Sequence, residues 1–192
     1  MSEKRAARRS RGGTDDAEFS EFVRIVWPRL RRTALLICGN PQQAEDAVQA
    51  GLLKLYVAWP RLKHVEMLEA YAKKAVLNAL LDEARRPWRR ERSGTDLPDT
   101  QVVPYDAPEQ VENRIAVTRA LAAVPKRQRA VLVLRFYDDL DVAETARLLA
   151  CSTGTVKSQT ARGLGALRAA LIAQGWNEER LPSMAAALGG AA

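Results

Sequence analysis

The sequence predicts an all-α protein of two small helical domains joined by a flexible acidic linker. Three observations predict it. Apolar residues recur at three-and-four spacing through most of the chain, which lines one face of a helix. No stretch shows the strict alternation of a half-buried strand. A proline-rich acidic stretch also separates two such helical regions.

The expected organisation is a basic tail over 1–16, a first helical domain over 17–92, a linker over 93–110, a second domain over 111–172 and a tail over 173–192. In the first domain, Phe19, Phe22, Val23, Val26, Trp27, Leu30, Ala34 and Ile37 form one stripe, with a kink expected at Pro28. Gly39 can end this helix, Asn40 can cap the next, and Pro41 fits its first position, where no amide donor is needed. The second helix should run to about Trp59 and bury Ala44, Val48, Leu52, Leu55 and Trp59. That leaves Gln42, Glu45, Asp46 and Gln49 together on another face.

A third helix is expected over about 67–86, with Leu68, Tyr71, Ala72, Ala75, Val76, Ala79 and Leu80 turned inward. Lys74, Asn78 and Arg85 follow a different line and continue into Arg86, Trp88, Arg89, Arg90 and Arg92. A basic strip with an aromatic in it suits either a solvated face or a nucleic-acid backbone track with a stacking partner. Charge then changes sign: residues 93–112 hold no Lys or Arg but contain Asp96, Asp99, Asp106, Glu109 and Glu112, with Pro98, Pro104 and Pro108 among them.

Beyond the linker a helix is expected over 111–123 and another from Pro125 through Phe136, interrupted by Tyr137, Asp138 and Asp139. Asp141 should cap a short helix over 142–149, and Ser152 a second one starting near Thr153. So tight a turn between short helices suggests a helix-turn-helix, with a plain stabilising hairpin as the alternative. On the second helix Val156, Thr160, Leu164, Leu167 and Leu171 face inward, while Lys157, Ser158, Gln159 and Arg162 are free to reach outward. These side chains can meet base edges and phosphates.

The net charge of +7 makes nucleic acid or an anionic surface the first partners to consider. Two cysteines far apart, Cys38 and Cys151, and a single histidine, His64, supply no zinc-ligand set, so no metal or other cofactor is expected. Glycine-rich phosphate loops and nucleophile systems are absent from the sequence. Asp138, Asp139 and Asp141 read as a turn with a helix cap rather than a Mg²⁺ site. The expected role is therefore non-enzymatic. The apolar runs are too short to span a membrane and the basic N-terminus leads into Thr14, Asp15 and Asp16, so cytoplasmic residence without membrane insertion is expected.

Three segments carry a family resemblance. NPQQAEDAVQAGLLKLY, residues 40–56, resembles the DAEDLVQE-type segment of extracytoplasmic-function sigma factors of the sigma-70 family. AYAKKAVLNALLDEARRPWRRE, residues 70–91, resembles the promoter-melting and −10 region that comes after it in the family. VPKRQRAVLVLRFYDDLDVAETARLLACSTGTVKSQTARGLGALR, residues 124–168, resembles the −35-binding domain. The wording FYDDLDVAETARLL and GTVKSQTARGL is similar to the actinobacterial SigE-like branch.

The resemblance implies a transcription-initiation subunit whose partners are core RNA polymerase and promoter DNA, and family members often bind an anti-sigma factor. It implies that Glu45, Asp46 and Gln49 contact the polymerase clamp helices. Tyr71, Lys74 and Asn78 would engage the −10 strand, with Arg85, Arg86, Arg89 and Arg90 on nearby phosphates. Lys157, Ser158, Gln159 and Arg162 would face the −35 duplex, with Arg127, Arg129 and Thr155 as phosphate contacts. A stand-alone helix-turn-helix regulator and a nucleic-acid-processing enzyme are the competing classes. The first leaves the N-terminal module unexplained, and the second needs a metal cluster or nucleophile. Several positions depart from the family pattern: Ala50 in place of Glu, Gly51 inside a helix at a cost of about 1 kcal/mol relative to Ala, Ala150 in place of a turn glycine, and Gly163 and Gly165, which weaken the recognition helix.

Overall fold

The computed structural model describes residues 2–62, 67–83 and 108–177. Among these, every regular element is helical. The first unit consists of α1 (Ser2–Cys38), α2 (Pro41–Leu62) and α3 (Leu68–Glu83). Helix α1 starts within the stretch expected as a basic tail and is continuous through Pro28. Its end obeys the expected chemistry. Gly39 adopts φ 72° and its amide donates to the Leu35 carbonyl at 2.8 Å. Asn40 Oδ1 then accepts the Gln43 amide at 2.9 Å, satisfying a donor at the start of α2.

The periodic apolar faces of these helices meet in one core, in which Leu30, Ile37, Val48, Leu55, Leu77 and Leu80 are fully buried. Gly51 is required by proximity rather than propensity. A Cβ there would lie 2.6 Å from Val76 Cγ2 and 2.9 Å from the Val76 amide nitrogen. The helix penalty expected at this position is therefore offset by the close approach of α2 and α3. At the far end of α2, Trp59 is buried and Phe19 meets the rings of Tyr56 and Trp59 edge-on, at 5.0 and 5.1 Å between centroids.

The second unit comprises α4 (Pro108–Ala123), α5 (Lys126–Leu132), a π-helical turn (Val133–Tyr137), α6 (Val142–Leu149) and α7 (Thr153–Ala173). Val117, Leu121, Leu132, Leu167 and Leu171 fill its core together with Trp176. The start of the expected C-terminal tail thus packs, with the Trp176 amide donating to the Leu171 carbonyl. Helix α6 opens with a full capping box: Asp141 Oδ1 accepts the Glu144 amide at 2.7 Å and Glu144 Oε2 accepts the Asp141 amide at 3.0 Å. It ends at Ala150, which does adopt the left-handed conformation, φ 50° and ψ 49°, at a strain of about 1 to 2 kcal/mol. Gly163 lets α7 press on α5, since a Cβ there would sit 3.1 Å from Leu132 Cγ.

The two units are not separate bodies in this structure. Ala130, Val133, Leu134 and Leu148 belong to the same buried cluster as α1, α2 and α3, and Leu36 of α1 packs against the C-terminal core. No helix among the described residues is long and apolar enough to cross a membrane.

Candidate nucleic-acid interface

Three polar faces reach solvent on three helices. On α2, Gln42 Nε2 donates to Asp46 Oδ1 at 3.0 Å, and Gln49 is exposed one turn further on. Glu45 Oε1 accepts from Arg31 Nε at 3.0 Å, so part of that carboxylate is committed to α1. The face continues in apolar residues that sequence reasoning did not single out. Leu53 is 64% exposed and Val57 77% exposed. They succeed Gln49 at four-residue steps, which was the available signal.

On α3, Tyr71, Lys74 and Asn78 are all exposed and share one face by their three-and-four spacing. Tyr71 and Lys74 line one wall of a crevice of about 280 Å³; Arg147 and Leu148 of α6 are on its other side, with Leu62, Met67, Leu68 and Ala70 completing it. Lys73, next in sequence to Lys74, is turned about 100° around the helix from it and is 5% exposed. It shares a helical line with the fully buried Leu77, an apolar residue outside the expected stripe. Arg85, Arg86, Arg89 and Arg90 lie outside the described residues.

On α7, Ser152 Oγ caps the helix by accepting the Thr155 amide at 3.0 Å, and the two hydroxyls lie 2.9 Å apart. Thr155, Lys157, Ser158 and Arg162 are exposed and Gln159 is half-buried. The cap fixes where this face begins, because the helix can start only where the first amides find acceptors. Val156, Leu167 and Leu171 are buried behind it.

Arg127 and Arg129, both expected on phosphate, part company. Arg127 is exposed on α5. Arg129 is 9% exposed, and its guanidinium donates to the Ala122 carbonyl at 2.7 Å and to the Val124 carbonyl at 2.9 and 3.2 Å. It ties off the end of α4, and a side chain committed to these carbonyls does not reach a phosphate. The expectation for Arg129 is therefore corrected. Burial pushes the Arg129 guanidinium and the Lys126 ammonium below their usual ranges and the nearby Cys38 thiol above its own. Cys38 Sγ donates to the Asn40 carbonyl.

The three acidic residues near the turn also have different places. Asp141 is the helix cap, while Asp139 takes a positive φ of 53°. Asp138 is 3% exposed and faces the N-terminal unit. Among the described residues no cluster of three or more His, Cys, Asp or Glu could hold a metal ion.

Comparison with known proteins matches residues 22–90 to the family described as Sigma-70 region 2 and residues 114–167 to Sigma-70, region 4. The RNA polymerase sigma-E factor of Streptomyces coelicolor is 32% identical over 160 residues, covering 82% of this chain and 88% of the relative. The ECF RNA polymerase sigma factor SigM of Mycobacterium tuberculosis is 33% identical over 149 residues, covering 77% and 74%. Among solved structures, the sigma factor RpoE of Bartonella quintana, determined in complex with the anti-sigma factor NepR, matches with a TM-score of 0.63. That match has 22% identity and covers 80% of this chain and 96% of the other.

Proposed function

The chain belongs to the extracytoplasmic-function sigma factors, and from that premise we propose how its exposed faces divide the work of promoter recognition. Proteins of this family bind core RNA polymerase and direct promoter recognition and transcription initiation; it is not an enzyme family. The observation that carries the division of labour is the presence of three polar faces on three different helices, each within or beside a matched family region.

The α2 face, with Asp46 and Gln49 flanked by Glu45, binds the clamp helices of the polymerase. Leu53 and Val57 extend it as the apolar part of the contact, and exposed aliphatic residues beside a polar rim suit a protein interface. Ala50 makes the polar part of this face smaller than the family pattern. Tyr71, Lys74 and Asn78 engage the unpaired −10 strand, the ring by stacking and the ammonium by neutralising the backbone. Arg85, Arg86, Arg89 and Arg90 continue the backbone contacts. Binding free energy for unpaired bases then shifts the duplex toward its open form, while the polymerase supplies the bond-forming chemistry.

Lys157, Ser158, Gln159 and Arg162 meet the −35 duplex, and Thr155 and Arg127 hold its phosphates. These partners place the protein in the cytoplasm. The anti-sigma complex of the Bartonella relative supports control of this chain by a protein partner of the same kind.

The test is runoff transcription with purified core polymerase on templates that include the promoter of the protein's own gene. Discrete protein-dependent transcripts are expected. Asp46→Ala should weaken core binding, Asn78→Ala should reduce permanganate-reactive opening, and Arg162→Ala should weaken −35 duplex binding. Sequence-specific duplex binding without any binding to core polymerase would replace this reading with a stand-alone regulator.

A further inference from the structure

Lys73 of α3 and Asp138, just past the π-helical turn, face each other across the contact between the two units. The ammonium lies 2.9 Å from Asp138 Oδ2, and the two side chains keep only 6% and 0% of their exposure. Asp138 Oδ1 accepts a hydrogen bond from Thr33 Oγ1 of α1 at 3.0 Å, and Thr33 is 2% exposed. The Lys73 ammonium is the ion-pair partner of Oδ2 at that distance. Both contacts of the carboxylate thus reach into the N-terminal unit.

The turn arranges this. The Asp138 amide donates to the Val133 carbonyl, five residues back instead of four. One extra residue rotates the chain beyond the turn by about 100° relative to a continuous α-helix. The carboxylate is thereby aimed away from its own core. Arg32 of α1 lies 5.9 Å from the Tyr137 ring centroid on the same boundary.

We propose that Lys73, Asp138 and Thr33 form a latch that closes the two units on each other in the free protein and opens when core polymerase takes up the chain. The need for opening rests on the reading of α3 and α7 as the −10 and −35 faces. Those elements lie about 25 base pairs apart, roughly 85 Å along duplex DNA at 3.4 Å per step. In the closed structure α3 and α7 both pack against α6, so their axes are within about 20 Å of each other. One closed molecule cannot touch both elements. Residues 84–107 connect the units, and a chain of that length reaches roughly 80 Å when fully extended.

The ion pair suits a contact that must break. Closing removes two charges from water, and their attraction returns about what that desolvation costs, so closure gains register more than strength. Opening rehydrates both charges. Removing one partner strands the other in the closed form, whereas replacing both with apolar residues of similar volume removes the desolvation cost and favours closure.

The experiment is small-angle scattering of the full chain, paired with core-polymerase affinity, for wild type, Lys73→Met, Asp138→Asn and the double variant Lys73→Met with Asp138→Leu. Wild type should be compact. Each single variant should show a larger maximum dimension, with core binding tighter by about tenfold if the latch holds nine molecules in ten closed. The double variant should be at least as compact as wild type and bind core polymerase no more tightly than wild type does.

Single variants as compact as wild type would overturn the latch, as would a double variant as extended as the singles. If a single variant loses helicity by circular dichroism, a compact double variant still supports the latch and an extended one overturns it. Absence of core binding by every variant would instead break the sigma-factor reading, while the scattering would still report on closure.

Discussion

In the N-terminal unit, helices of 22 and 16 residues are held mainly by their length of buried apolar face, with Leu55 and Leu80 fully enclosed. In the C-terminal unit, α5 and α6 have seven and eight residues, and side chains tie the ends of the elements around the turns. Asp141 and Glu144 box the start of α6, Ser152 caps α7 and Arg129 closes α4. Eight backbone groups at the ends of any helix lack internal partners, so end chemistry weighs more as helices shorten. Packing distance governs the first unit and capping governs the second.

Substitutions can sharpen that contrast, beginning with the largest effect. Gly51→Ala should destabilise the protein by about 2 kcal/mol, although Ala is the better helix former, because the new methyl group collides with Val76. Urea unfolding would check the sign, and a stabilised variant would remove the close-approach account. Asp141→Ala should cost about 1 kcal/mol through loss of the capping box, read in the same way. An effect near zero would show that packing, not capping, supports α6 as well.

Ala150→Gly should raise stability by somewhat less than 1 kcal/mol. It relieves left-handed strain, with part of the gain lost to the entropy of glycine. The smallest stability effect is expected at Arg127→Ala, within about 0.5 kcal/mol of wild type, because the side chain is exposed. The same variant should reduce the salt slope of −35 duplex binding by about 1, as loss of one phosphate contact requires. An unchanged slope would remove Arg127 from the DNA face.

Much of this molecule was legible in residue order. The Gly39, Asn40 and Pro41 run marked the break between α1 and α2, and Asp141 and Ser152 marked the starts of α6 and α7, because caps depend on neighbours within three residues. Helical period gave the Lys74 and Asn78 line of α3 and the outward residues of α7, but it also counted Tyr71 with the inward apolar face, and the fold leaves that ring 41% exposed. Arg129 was misread because a basic residue beside exposed Arg127 looks equally free in sequence. Only the fold brings the carbonyls of Ala122 and Val124 onto its guanidinium.

Lys73 and Lys74 mark the same boundary within two adjacent residues. Helical period places them about 100° apart, but which of the two is buried depends on what packs against α3. The sequence by itself determined the helices, their caps, the order of the family segments and the residue types of the exposed faces, since these rest on contacts a few residues apart. The tertiary structure decided that Gly51 is a contact point and that Asp138 serves the other unit rather than its own turn. It also decided that the two units share a core. Those outcomes come from residues 25 to more than 100 positions apart, and burial and Coulomb energy depend on distances that only the completed fold sets.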